Sequence, residues 1–133
     1  MKLTKSIFLL LAVGLAACQS IDGGDDLEKG IPYQLTAKET GAIQAALQQR
    51  MPAAGVLLFG PILASKDSKG GINVCGTFSA MGGYAGVIDK RPYVGMMVEV
   101  PPLFEFMPVV IADDSSSGSS AVIITCHRLG IPI

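Results

Sequence analysis

Side chains able to do covalent or metal chemistry are few in this chain of 133 residues, which holds three cysteines and one histidine. Cys126 and His127 adjoin, and a thiol beside an imidazole is the pairing that nucleophilic catalysis uses. Their placement weakens that use. The stretch 121–127 reads as a strand, where neighbours in sequence point to opposite faces, so His127 is expected to turn away from Cys126 as a solvated strand-end residue. A hydrolase-type enzyme would have to rest on His127. Asp113 and Asp114, followed by Ser115, Ser116 and Ser117, offer oxygen ligands. They lack the spaced acidic positions and distal glutamate of a calcium loop, so a hairpin tip is expected instead. No serine occupies a G-x-S-x-G elbow, and Gly118-Ser119-Ser120-Ala121 does not replace one. No phosphate-binding loop and no C-x-x-C occur either. With a single histidine, neither a metal site nor a cofactor is expected.

A second cysteine, Cys18, sits in a different setting. Lys2 and Lys5 precede an unbroken apolar run over 7–17, about 11 residues against the ~20 a membrane-spanning helix needs. Positive charge, a short apolar run and small residues before a cut are the order of an export signal, here 1–17. Leu15-Ala16-Ala17-Cys18 resembles the lipobox of bacterial lipoproteins. The resemblance covers the first twenty residues and implies that Cys18 is lipidated and becomes the mature N-terminus. Two or three acyl chains anchor firmly, at ~0.8 kcal/mol per buried methylene. Gln19 stands where an aspartate would resemble the signal for inner-membrane retention, which favours the outer membrane.

If Cys18 carries lipid, Cys75 and Cys126 remain as a pair in an oxidising compartment, where such pairs usually close. A bridge between them would tie a loop of about fifty residues and stabilise by roughly 4 kcal/mol. The alternative is two buried free thiols behaving as small hydrophobes.

Removing 1–17 leaves 116 of the 133 residues, enough for one domain with a core of its own. The chain has 10 basic and 11 acidic residues; without Lys2 and Lys5 the balance is 8 against 11, about minus three. Nucleic acid is therefore a poor candidate partner, since phosphate binding needs clustered basic side chains.

Residues 18–34 are polar, acidic and glycine-containing, and read as a lipidated flexible tether. As a coil of about 16 residues it would reach ~20 to 24 Å. The domain proper is expected over 35–133. Thr36-Ala37-Lys38-Glu39 forms a capping box, and Ala42, Ile43, Ala46 and Leu47 follow at helical spacing. A helix is therefore predicted over 37–50, stopped by Pro52. Beyond Val56, β-branched and apolar runs alternate with turn clusters, predicting strands near 55–64, 71–79, 92–100, 107–112 and 121–127. Turn chemistry marks 65–71 and 113–120 as hairpin tips. Pro101 and Pro102 belong at an edge, a bulge or a connection. One helix packed on an antiparallel sheet of four to five strands is an α+β fold.

Val74-Cys75-Gly76, Gly82-Gly83-Tyr84-Ala85-Gly86 and Pro92-Tyr93 together resemble a motif of small exported proteobacterial proteins of unknown function. The resemblance spans about half the mature chain and implies a shared fold and a bridge between Cys75 and Cys126, without an activity. Gly82, Gly83 and Gly86 allow positive φ or close backbone approach around Tyr84. That loop is either a recognition loop or a connector in which Tyr84 seals the end of the core. Met96, Met97, Leu103, Phe104, Phe106 and Met107 form the most apolar segment of the domain. Where it is exposed, Phe104, Phe106 and Met107 are candidates for partner contact; otherwise they fill the core. The sequence thus supports a lipid-anchored module facing the periplasm that binds an envelope protein or cell-wall component. A small inhibitor of lysozyme or another hydrolase, and the enzyme resting on His127, are the alternatives.

Overall fold

A computed structural model describes residues 27–84, 86–100 and 103–133. The expected export signal, Cys18 and the first part of the expected tether fall outside the described residues, as do Pro101 and Pro102.

Five antiparallel strands lie in sequence order, β1 (Ile31–Tyr33), β2 (Leu57–Lys66), β3 (Ile72–Gly83), β4 (Gly86–Val100) and β5 (Leu103–Ile111). Among the described residues, two helices, α1 (Ala37–Arg50) and α2 (Ser116–Arg128), and one disulfide join the sheet. Helix α1 starts where the capping box demands. The Thr36 hydroxyl accepts from the Glu39 backbone N–H, and the Glu39 carboxylate accepts from the Thr36 N–H at 2.8 Å. Its buried residues, Glu39, Ile43 and Leu47, recur every four positions, so one stripe faces the sheet.

Strand alternation sorts the sheet into two faces. Val74, Phe78, Tyr93 and Phe106 join Ile43 and Leu47 of α1 in the larger core. Cys75, Val94 and Ala112 join Val122, Cys126 and Leu129 of α2 in a smaller core on the opposite face. Each face of the sheet therefore carries one helix, and the disulfide pins α2 to the central strand, with Cα atoms 6.1 Å apart.

The second helix corrects the expected strand at 121–127. Val122, Cys126 and Leu129 are buried at spacings of four and three, and the helical stripe they form outweighs the β propensity of Val122, Ile123, Ile124 and Thr125. The hairpin tip expected at 113–120 is accordingly the entry to α2, with Ser115 as N-cap accepting from the Gly118 N–H. The other expected tip does join β2 to β3, closed by the Asp67 N–H donating to the Gly71 carbonyl.

Residues 27–34, expected as the end of a flexible tether, are part of the domain. Ile31, Pro32 and Tyr33 pair with Lys66, Ser65 and Ala64 of β2. The Gly30 N–H donates to the Leu129 carbonyl, and the Ser68 hydroxyl donates to Glu28. Main-chain pairing at a sheet edge does not require apolar side chains, which is why composition alone reads this stretch as coil.

Candidate interaction surface

Strands β3 and β4 run on through the glycine cluster, so that Gly83 lies opposite Gly86 and Tyr84 stands at the tip of a tight hairpin. Gly82 and Gly86 take φ of +90° and +76°, backbone that glycine adopts without steric cost. Gly83 is seated on the short 3-10 turn Pro52–Ala54; a Cβ there would collide with backbone atoms of Ala53, Ala54 and Gly55. The hairpin is thereby fixed to the body of the domain.

Tyr84 is fully exposed and does not seal the core. It has apolar company. Leu57, Ala80 and Ile88 lie in the α1-side core, so alternation turns Val56, Leu58, Met81 and Val87 to the α2 side. Leu57 pairs with Ala80 and Ala80 with Ile88. Val56 just precedes Leu57, Met81 follows Ala80 and Val87 precedes Ile88, so the three form an irregular row at this end, where the register shifts again before Gly83, with exposures of 73%, 66% and 76%. Leu58, opposite Ser79, extends the patch toward α2. The helix stops short of this end: its entry is held near Arg91, which pairs with Asp114, while Cys126 and Leu129 sit over the other half of the sheet.

Asp89 and Lys90 border the row. Both oppose Ser79, because the register shifts by one between Phe78 paired with Arg91 and Ala80 paired with Ile88. This is a β-bulge, and Lys90 carries a φ of +43° there. A lysine in the left-handed region is uncommon and costs free energy. The Lys90 N–H donates to the Ser79 hydroxyl at 3.1 Å.

The other sequence candidates are dispersed. Phe106 is buried edge-on to Tyr93, with ring centroids 6.2 Å apart, and Phe104 packs half-buried beside the same core. Met107 faces the other way, paired with Met96, and both are exposed. About ten residues of β4 separate Met96 from the hairpin, a distance of roughly 30 Å, so Met107 and Tyr84 do not share a surface. His127 is exposed in the last turn of α2, and its neighbour Cys126 is held in the disulfide. Asp113 accepts from the hydroxyl and the N–H of Ser115, which hold its carboxyl below the ordinary range and tie it to the helix entry.

A second cluster lies at the opposite end of the sheet. The Tyr33 hydroxyl donates to Glu39 at 3.0 Å and the Lys66 ammonium sits 5.5 Å above the Tyr33 ring. The Glu39 hydrogen bond raises the Tyr33 phenol above its ordinary value. This arrangement locks β1 to α1. Among the described residues, no group of three or more His, Cys, Asp or Glu side chains is placed to hold a metal ion.

Sequence reasoning missed Val56, Leu58, Met81 and Val87. The signal was present: Met81 and Val87 flank the turn residues 83–86 on either side, where two strands leaving a tight turn would carry them. No family model, no curated protein and no solved structure matches the chain.

Proposed function

We propose that this chain is a lipoprotein anchored through Cys18, held in the outer membrane and facing the periplasm, whose domain is a non-enzymatic interaction module. The observation that carries the second half is the hairpin end: a fully exposed tyrosine beside four exposed apolar side chains, on a tip braced against the domain. Exposed apolar clusters of this size mark interaction sites rather than ordinary surface. Placement adds support. The chain enters the domain at Ile31, beside Lys66, and Gly83 lies at the far end of the twelve-residue β3, roughly 35 Å away. An anchor at Cys18 thus leaves the tip free to meet a partner in the compartment.

Two measurements test this. Replacing Cys18 with Ser should leave the signal uncut and the chain without lipid; normal processing and membrane retention of that variant would remove the anchor. Crosslinking of the wild-type chain in its native envelope should give a discrete adduct that Tyr84→Ala weakens about tenfold, the scale of a central aromatic contact. An adduct unchanged in Tyr84→Ala would move the interaction away from this end.

A further inference from the structure

We infer that the charged hollow beside Tyr33, at the end of the sheet away from the hairpin tip, binds a small zwitterion of the amino-acid class, one bearing an ammonium, a carboxylate and a short apolar group. This site is separate from the exposed tip and goes beyond the interaction assigned to it.

The hollow encloses about 440 Å³, within the ~300 to 1,000 Å³ range of small-molecule sites. All five strands and the first turn of α1 reach it. Tyr33 comes from β1, Glu39 from α1, Lys66 from β2 and Glu99 from β4, while Lys69 stands in the turn between β2 and β3. Two charges of each sign thus meet in one hollow. Among the described residues none of the four is in an ion pair with another.

Tyr33 stands among them. Its hydroxyl donates to Glu39 at 3.0 Å, while the Lys66 ammonium lies 5.5 Å from the ring centroid over the face rather than against a carboxylate. Glu39 is only 7% exposed, and its two oxygens accept one bond each, from the Tyr33 hydroxyl and the Thr36 N–H. Both donors are neutral. A carboxylate offers about four acceptor positions, so Glu39 keeps capacity for a cation, and a charge-assisted bond is roughly twice as strong as a neutral one. Glu99 approaches from β4 closely enough that its charge, with that of Glu39, raises the Tyr33 phenol. The ligand ammonium belongs beside these two carboxylates, and its carboxylate belongs with Lys66 and Lys69.

A ligand of one sign fits poorly. A simple anion drawn by the two lysines meets Glu39 and Glu99, and a simple cation drawn by the two carboxylates meets the lysines, so like charges reject both. A zwitterion answers all four. Ile72, Met97 and Phe104 supply an apolar wall for its short side chain, with Phe104 directly opposite Glu99 in the sheet. Lys69 is held in position by Asp67, whose carboxylate accepts from the N–H groups of Lys69 and Gly71.

The test titrates the full chain, isotope-labelled and in detergent micelles, with leucine and with its two singly charged counterparts, isocaproate and isoamylamine. Leucine should give saturable shifts in the amide resonances of Tyr33, Glu39, Lys69 and Ile72 and leave Tyr84 unmoved. Each counterpart lacks one charge-assisted bond and should bind about tenfold more weakly. Glu99→Gln should weaken leucine severalfold without weakening isocaproate, and Lys66→Gln should weaken leucine severalfold without weakening isoamylamine. Both variants replace exposed side chains and leave the Glu39 cap of α1 intact. The absence of a saturable shift with leucine would overturn the proposal, as would either counterpart binding as tightly as leucine. Shifts at Tyr84 in place of Tyr33, or leucine affinity unchanged in both variants, would overturn it as well.

Discussion

Cys75 and Cys126 stand 51 residues apart in sequence and meet in the core between α2 and the sheet. Replacing both with Ala should cost about 2 to 5 kcal/mol. The check is urea unfolding followed by circular dichroism, with the wild-type chain in reductant as a parallel measure. Tyr93 is the other residue whose setting has a measurable consequence. It is wholly buried between Phe78 and Phe106, its hydroxyl has no hydrogen-bond partner among the described residues, and burial lifts the phenol well above its ordinary value. The folded chain therefore keeps a proton that the unfolded chain gives up at high pH. Stability linked to Tyr93 is full below the ordinary phenol range and falls as pH climbs through it. Alkaline titration should show one phenolate step coinciding with loss of ellipticity, and Tyr93→Phe should remove that step while leaving neutral-pH stability unchanged or up to about 1 kcal/mol higher. The cysteine pairing was legible once Cys18 was set aside. Tyr93 was not, because burial depends on how β4 is sandwiched between neighbouring strands and α1, which residue types alone do not specify.

At the scale of elements, the two helices were unequally readable. Helix α1 announces itself through a reciprocal cap and good helix formers. Helix α2 is built from Val122, Ile123, Ile124 and Thr125, whose branched side chains favour strands in isolation, and only the spacing of Val122, Cys126 and Leu129 betrays it. Its entry leans on the Ser115 cap, so Ser115→Ala should cost about 1 kcal/mol. The carboxyl of Asp113, held low by Ser115, adds a pH term of opposite sign to that of Tyr93: its contribution is present above the ordinary carboxylate range and is lost as pH falls through its lowered value. The hairpin of β3 and β4 was hidden for another reason. Gly82, Gly83 and Gly86 read as a loop, whereas the strands continue through them and use Gly83 for close approach to the turn at Pro52–Ala54. Gly83→Ala forces a methyl group into backbone, and a loss of about 1 to 3 kcal/mol is expected in thermal melts. The same variant should weaken any contact made by Tyr84, since the tip would shift.

For the molecule as a whole, the expectation of an antiparallel sheet with helix was coarse but sound, and what composition could not show was where the domain begins. A chain started at Leu35 would lose β1, the Glu28 contact to Ser68 and the Gly30 bond to Leu129. Such a truncation should lower the melting temperature by several degrees and expose the β2 edge to aggregation, measured by scanning calorimetry and light scattering. The bond from Gly30 to Leu129 also has a mechanical meaning. A tug on the segment ahead of Gly30 does not first peel the short edge strand from its neighbour. The load passes at Gly30 to the end of α2, then within three residues to Cys126, and through a covalent bond into Cys75 in the middle of the sheet. A chain pulled from its leading end is thus held at its centre rather than at its margin.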